Sequence, residues 1–206
     1  IPSLEGLLIE AAGDSVTISG YDLKTGIRTR IPADVNVPGA IVLNARLFGD
    51  IVRRMPDDYL VFHAGDGMSV TLSCGRSVFE IMGTSAEDYP ELPSVDYQKS
   101  IQIPQKVMRS IISETIFAVS DNESRPIHTG SLFEISDNVI TVVSVDGYRL
   151  AMRRERIENS EIEQSSFVVP GAALSEVEKI ASDTEDCLKI TLGSKHVMFT
   201  IGETVL

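Results

Sequence analysis

The sequence predicts an α+β fold made of two tandem copies of one unit, in which short antiparallel strands accompany an internal helix. Three observations predict it. Residues 6–22 (GLLIEAAGDSVTISGYD) and 130–146 (GSLFEISDNVITVVSVD) share a plan: two short apolar runs flank a polar turn, and an aspartate stands sixteen positions after the opening glycine. That is one hairpin written twice. The likeness continues downstream at an offset drifting only from about 124 to 128, as duplicated units with small loop insertions would show. Finally, 206 residues, 43% hydrophobic and 23% charged, describe a soluble globular chain long enough for two domains of roughly 100 residues.

In the first unit, residues 1–19 supply two strands around Ala12-Gly13-Asp14, and Gly20-Tyr21-Asp22 is expected to turn. Residues 27–31 alternate Ile-Arg-Thr-Arg-Ile, the period of a strand exposed on one face. A proline-containing connection over 32–39 leads to an extended Ile41-Val42-Leu43. A helix is expected over 44–55, with Leu47, Phe48, Ile51, Val52 and Met55 as its core-facing stripe, Asn44 as N-cap and Pro56 as stop. Strands are expected over 59–62, 68–73 and 77–82, with Gly65-Asp66-Gly67 as a hairpin turn rather than a phosphate loop. Opposite the apolar stripe stand Arg46, Asp50 and Arg53, with Arg54 beside them. Taken alone, that row is an ordinary solvated face.

Residues 83–100 hold two prolines and four acidic residues without helical or strand period, and read as an ordered linker. The boundary placed there gives domains 1–95 and 96–206. A helix-like prelude over 102–119 follows, with Val107, Met108, Ile111, Ile112 and Val119 on one side and Lys106, Arg109, Ser110 and Ser113 on the other. The polar loop after it carries Arg125. Beyond the second hairpin come extended Phe167-Val168-Val169, a helix over 171–181 in which Glu176 and Glu178 outnumber Lys179, and strands over 188–192 and 196–201. The first unit has no counterpart of the prelude, and residue 1 is Ile. The sequence therefore reads as a fragment whose first unit lacks an N-terminal helix and strand and whose second lacks its last strand.

A formal net charge of −12 argues against a general affinity for nucleic acid, which comes from cations replacing phosphate counterions. Cys74 and Cys187 do not form a disulfide framework, and each is expected as a small buried hydrophobe. No apolar run reaches the ~20 residues that span a bilayer, and no secretory signal is present, so a cytoplasmic setting is the default. His63, His128 and His196 lack ligand-like spacing, so no metal or other cofactor is expected. Glu87, Asp88 and Glu91 cluster in a segment expected to face solvent, where neither acid of a general acid–base pair would be desolvated. No catalytic constellation stands out.

The strings GYDLKTGI, GTSAEDYPELP, TIFAVSDNESRPIHTG and TVVSVDGYRLA resemble the bacterial sliding-clamp family, the beta subunit of DNA polymerase III, and the likeness runs over essentially the whole chain. The resemblance implies tandem DNA-clamp domains, each with helices on the inner face and antiparallel β-sheets on the outer face. A third domain is absent from this sequence. It further implies a non-catalytic processivity factor: two full-length subunits close a ring around duplex DNA, without sequence preference and by threading, so the exterior can be acidic if the lining is not. By position, Arg46, Arg53, Arg54, Lys106 and Arg109 match the lining helices, and Arg125 matches a DNA-contacting loop. The family's pocket for a short apolar peptide of the replicative polymerase, the clamp loader and other clamp-binding proteins is matched by Ile127, Val145, Gly147, Tyr148, Arg149 and Leu150. The residues alone also fit a plainer account, in which Tyr148 and Leu150 pack on a core and Asp146 and Arg149 form an exposed ion pair. A β-rich protein-interaction module, or a hydrolase with duplicated domains, is the reading from another class.

Overall fold

Polar turns and period-two runs set the strand pairings in each half of the chain. A computed structural model describes residues 5–93, 99–158 and 160–206. Part of the expected linker, residues 94–98, lies outside the described residues, and two units divide the chain at Pro93 and Ser94.

In the first unit, β1 (Gly6–Ala12), β2 (Ser15–Tyr21), β3 (Gly26–Pro32) and β4 (Gly39–Asn44) pair antiparallel in the order β4-β1-β2-β3. The turn expected at Gly20-Tyr21-Asp22 falls later. Gly20 and Tyr21 still pair with Ile27 and Gly26, and Asp22 makes the reversal by accepting the Lys24 and Thr25 amides at 2.8 and 2.6 Å.

Helix α1 (Ala45–Val52) starts where Asn44 accepts the Leu47 amide at 2.9 Å. It ends before Pro56, because the amides of Arg54 and Met55 reach back three residues rather than four. Phe48 and Ile51 are buried, whereas Leu47 and Val52, expected in the same stripe, are 46% and 39% exposed. At about 100° per residue they stand some 70° to either side of the stripe's centre. Among the described residues no second helix of this unit covers those flanks.

Strands β5 (Val61–Ala64), β6 (Ser69–Cys74) and β7 (Ser77–Met82) form a second sheet. The first of them begins two residues later than expected, leaving Tyr59 and Leu60 exposed ahead of it. Ile9, Ile41, Leu43, Phe48, Ile51, Val70 and Leu72 make this unit's core.

The second unit repeats the plan. Its strands are β8 (Lys99–Pro104), β9 (Gly130–Ser136), β10 (Val139–Val145), β11 (Leu150–Arg156), β12 (Gln164–Pro170), β13 (Cys187–Leu192), β14 (Val197–Ile201) and β15 (Thr204–Val205), with helices α2 (Gln105–Thr115) and α3 (Gly171–Ile180). One sheet runs β11-β10-β9-β12 and the other β15-β14-β13-β8, all antiparallel. Counterparts start 124 residues apart for the first three strands (6 and 130, 15 and 139, 26 and 150), 126 apart at the helix (45 and 171) and 128 apart at β6 and β14 (69 and 197). The strand β8 and helix α2 have no counterpart in the first unit among the described residues.

Four expectations change in this half. Residues 102–104, expected as the start of a helix, belong to β8: Ile101 and Ile103 are buried, Gln102 is exposed, and the strand pairs with β13 up to Pro104. Proline then ends the ladder and opens α2, where its missing N–H costs nothing. The helix itself stops at Thr115 and continues as a single 3-10 turn, Ile116–Ala118. Val119, expected in the stripe, lies beyond it in extended backbone. Cys187 is exposed at the first position of β13, while Cys74 is buried as expected.

The β9–β10 reversal uses Asp137 and Asn138, both at positive φ (52° and 59°), the pair that a two-residue turn matched to strand twist requires. Gly130 opens β9 because nothing larger fits: a Cβ there would lie 2.5 Å from the Val169 carbonyl oxygen of β12. Helix α2 packs on α3, β8, β10 and β11 over a core that includes Met108, Ile111, Ile112, Phe133, Leu174 and Phe199. No helix among the described residues is long and apolar enough to cross a membrane.

Tyr89, in the stretch expected as linker, is buried, and its hydroxyl lies 3.2 Å from the Ser19 carbonyl and 3.4 Å from that of Gly6, donating to one at a time. Burial raises its pKa. A raised folded-state value means that the stabilisation is complete below the ordinary phenol pKa of about 10 and is lost as pH rises through the folded one. Tyr89→Phe should therefore cost about 0.5–1.5 kcal/mol at neutral pH and remove part of the alkaline loss of stability. Denaturant unfolding of the two proteins at pH 8 and in strong alkali checks both; identical pH profiles would mean that the hydroxyl contributes nothing.

Candidate functional site

Candidate residues lie on α1 in the first unit and on two surfaces in the second, α2 with the loop after it and the β10–β11 reversal. On α1 and the turn that ends it, Arg46 and Arg53 are seven positions apart, so they stand within about 20° of one another around the helix, opposite Phe48 and Ile51. Arg46, Arg53 and Arg54 are all exposed. Arg53 is held by Asp50, Nη1 to Oδ1 at 3.3 Å, while Arg46 and Arg54 have no ion-pair partner among the described residues.

On α2, Lys106, Arg109, Ser110 and Ser113 occupy the side away from Met108, Ile111 and Ile112. The helix start docks on an acidic loop, the Gln105 and Lys106 amides donating to the carbonyls of Asp186 and Thr184 at 2.9 and 3.1 Å. Lys106 forms a close ion pair with Glu185 of that loop, and this hydrogen bond raises the lysine pKa. Lys106 is thus already engaged by the protein, whereas Arg109, half-buried, has no ion-pair partner among the described residues.

Arg125 is exposed in the loop after α2. Its amide donates to Asn122 O at 3.2 Å and its carbonyl accepts from the His128 amide at 2.9 Å, so its backbone is fixed, and its side chain has no ion-pair partner among the described residues. The loop's 3-10 turn, Pro126–Thr129, presents Ile127, which is 69% exposed.

The second surface is the reversal between β10 and β11, closed by the pairing of Val145 with Leu150. Asp146 organises it: Oδ1 accepts the Tyr148 and Arg149 amides at 2.9 and 3.1 Å, and Oδ2 accepts from Arg149 Nε at 2.8 Å. These bonds, the Tyr148 amide first, lower the carboxyl pKa. Gly147 takes φ 95°, a conformation that L side chains rarely adopt. The consequence is a fixed turn with its apolar groups outside it: Tyr148 is 101% exposed and Leu150 is 64% exposed. Val145 is half-buried and Arg149 exposed.

The account in which Tyr148 and Leu150 pack on a core does not fit this geometry; the ion pair of Asp146 with Arg149 does, as one of several bonds in the turn. The Asp-Gly pair after an apolar run is a readable hairpin signal, and it marks Asp146 as the residue that shapes the turn. Glu185 and Phe117, which meet Lys106 and Arg149, carry no such local signal. Glu87, Asp88 and Glu91 are exposed, as expected. Among the described residues no three His, Cys, Asp or Glu side chains are grouped to hold a metal ion.

Both units match known families. Residues 1–93 match the family described as DNA polymerase III beta subunit, N-terminal domain, and residues 102–206 match DNA polymerase III beta subunit, central domain. The beta sliding clamp of Halalkalibacterium halodurans is 36% identical over 211 residues, covering 98% of this chain and 56% of that protein. The beta sliding clamp of Bacillus subtilis is 31% identical over 207 residues, covering 97% and 55%. Among solved structures, the Bacillus subtilis DNA polymerase sliding clamp superposes with a TM-score of 0.91 at 30% identity, covering 100% of this chain and 56% of that one. The DNA polymerase III subunit beta of Pseudomonas aeruginosa gives the same TM-score of 0.91 at 26% identity, with the same coverage. The chain spans about half the length of these relatives.

Proposed function

Because the chain belongs to the family of bacterial DNA polymerase III beta subunits, we propose that it supplies two domains of a sliding clamp, a ring that encircles duplex DNA and tethers replication proteins. The observation that carries this reading is the family match across both repeated units together with the outward-facing cations of α1 and α2, in a chain where 30 acidic residues face 18 basic ones. A threaded ring has no need of tight contacts, and weak phosphate contacts that carry no sequence information are those that permit sliding. Arg46, Arg53, Arg54, Lys106, Arg109 and Arg125 are the proposed DNA-facing set.

The proposed peptide site is the surface of Ile127, Val145, Gly147, Tyr148, Arg149 and Leu150. Its occupant is a short segment with apolar anchors from the replicative polymerase, the clamp loader or another clamp-binding protein. The full-length protein acts as a homodimer in the cytoplasm and performs no catalysis of its own.

Arg46→Ala, Arg53→Ala and Arg109→Ala combined should weaken DNA binding by the full-length protein at low salt. The dependence of log K on log salt should flatten by roughly 0.9 for each phosphate that is no longer neutralised. Glu185→Gln, which releases Lys106, should shift affinity the other way. Titrations at several salt concentrations check both, and an unchanged slope in the triple variant removes these residues from the DNA-facing surface.

A further inference from the structure

The Arg149 side chain is 57% exposed and that of Asp146 18%, and an ion pair with one charge open to water holds little by itself. A third group meets it. The Arg149 guanidinium carbon lies 5.7 Å from the centre of the Phe117 ring, within the range where a cation is attracted to an aromatic face. Phe117 is itself 56% exposed, an unfavourable place for a large apolar side chain, yet its backbone is firmly held. Its neighbour Ala118 is fully buried, Ile116 packs on the core, and the Val119 amide donates to Ile116 O at 3.1 Å. Arg149 thus lies over a ring carried on a held backbone while its Nε donates to Asp146 at 2.8 Å.

Resting on the reading of this turn as a wall of the peptide site, we propose that Phe117 is a positioning residue: its ring holds Arg149, and Arg149 with Asp146 holds the turn that presents Tyr148 and Leu150 to an apolar-anchored peptide. The ring acts through Arg149 and has no need to touch the peptide. Preorganisation of this kind raises affinity by lowering the ordering cost of binding.

The test uses full-length protein and a fluorescent peptide carrying one Leu and one Phe anchor, with binding followed by anisotropy. Phe117→Leu keeps the apolar bulk and loses the aromatic face, and should weaken binding about two- to five-fold. Phe117→Tyr keeps the face and should bind as the unsubstituted protein does. Arg149→Ala should weaken binding, and adding Phe117→Leu to it should change nothing further. Amide hydrogen exchange at Tyr148 and Arg149 should quicken in Phe117→Leu at unchanged thermal stability. Equal affinity of Phe117→Leu and the unsubstituted protein, or effects of Phe117→Leu and Arg149→Ala that simply add, overturns the inference. If the unsubstituted protein binds no such peptide, the pocket reading falls instead, and the exchange rates alone decide whether Phe117 orders the turn.

Discussion

Tyr148→Ala and Leu150→Ala together should weaken peptide binding by the full-length protein at least about 100-fold. Each anchor contact removes apolar surface from water, at about 1.5–3 kcal/mol for a fully covered large side chain, and 1.4 kcal/mol is a factor of ten in affinity. Two such losses at the lower bound already give two orders of magnitude. The fold should not suffer, because both side chains point away from the core, and Ala151 beside them, the residue that faces inward, is untouched. Anisotropy with a labelled peptide gives the affinity and circular dichroism checks the fold. Unchanged affinity in a folded double variant would take this turn out of the interface.

The largest effect on stability should come from Phe133→Ala, at about 3–5 kcal/mol. Phe133 is fully buried in β9 and stacks on Phe167 of β12, with ring centres 5.4 Å apart and planes inclined by 17°. The two residues are directly opposed across the strands, and Val142 of β10 opposes Phe133 on the other side. Truncation would empty the middle of the second unit's sheet, and a rigid, close-packed site collapses only partly into such a gap. Phe133→Leu, which keeps most of the volume, should recover a large part of the loss. Denaturant unfolding followed by a probe in the second unit measures the difference. A cost below about 1 kcal/mol in Phe133→Ala would mean that the Phe133–Phe167 stack is not the centre of that core.

The hairpins were legible because their turns are local chemistry. Asp137-Asn138 between apolar runs specifies a two-residue reversal, and the same plan recurs 124 positions earlier. The start of α1 was legible for the same reason, since Asn44 needs only the amide three residues on. Strand β8 was not. Its alternation covers six residues and runs straight into a helix through Pro104, so the apolar positions of strand and helix merge into one stripe. Nor could local pattern show what closes over long separations: the Tyr89 hydroxyl reaches carbonyls 70 and 83 positions away, and Lys106 meets Glu185 across 79.

The candidate sites divide in the same way. The charge of α1 and α2 and the apolar character of Tyr148 and Leu150 are sequence properties, and helix periodicity fixes which side of each helix the charges take. Exposure, the engagement of Lys106 by Glu185 and the seating of Arg149 on Phe117 depend on tertiary placement. They separate cations that are free to meet phosphate from cations already occupied, a distinction composition cannot make.

Topology tests encirclement more directly than affinity does. Phosphate contacts weaken as salt rises, whereas a closed ring threaded on a closed circle has no end to slide off. Full-length protein loaded onto nicked circular plasmid by its clamp loader should stay with the DNA through gel filtration at high salt. Cutting the plasmid once should release it. Equal retention on circular and linear DNA, or loss from both, would contradict the account.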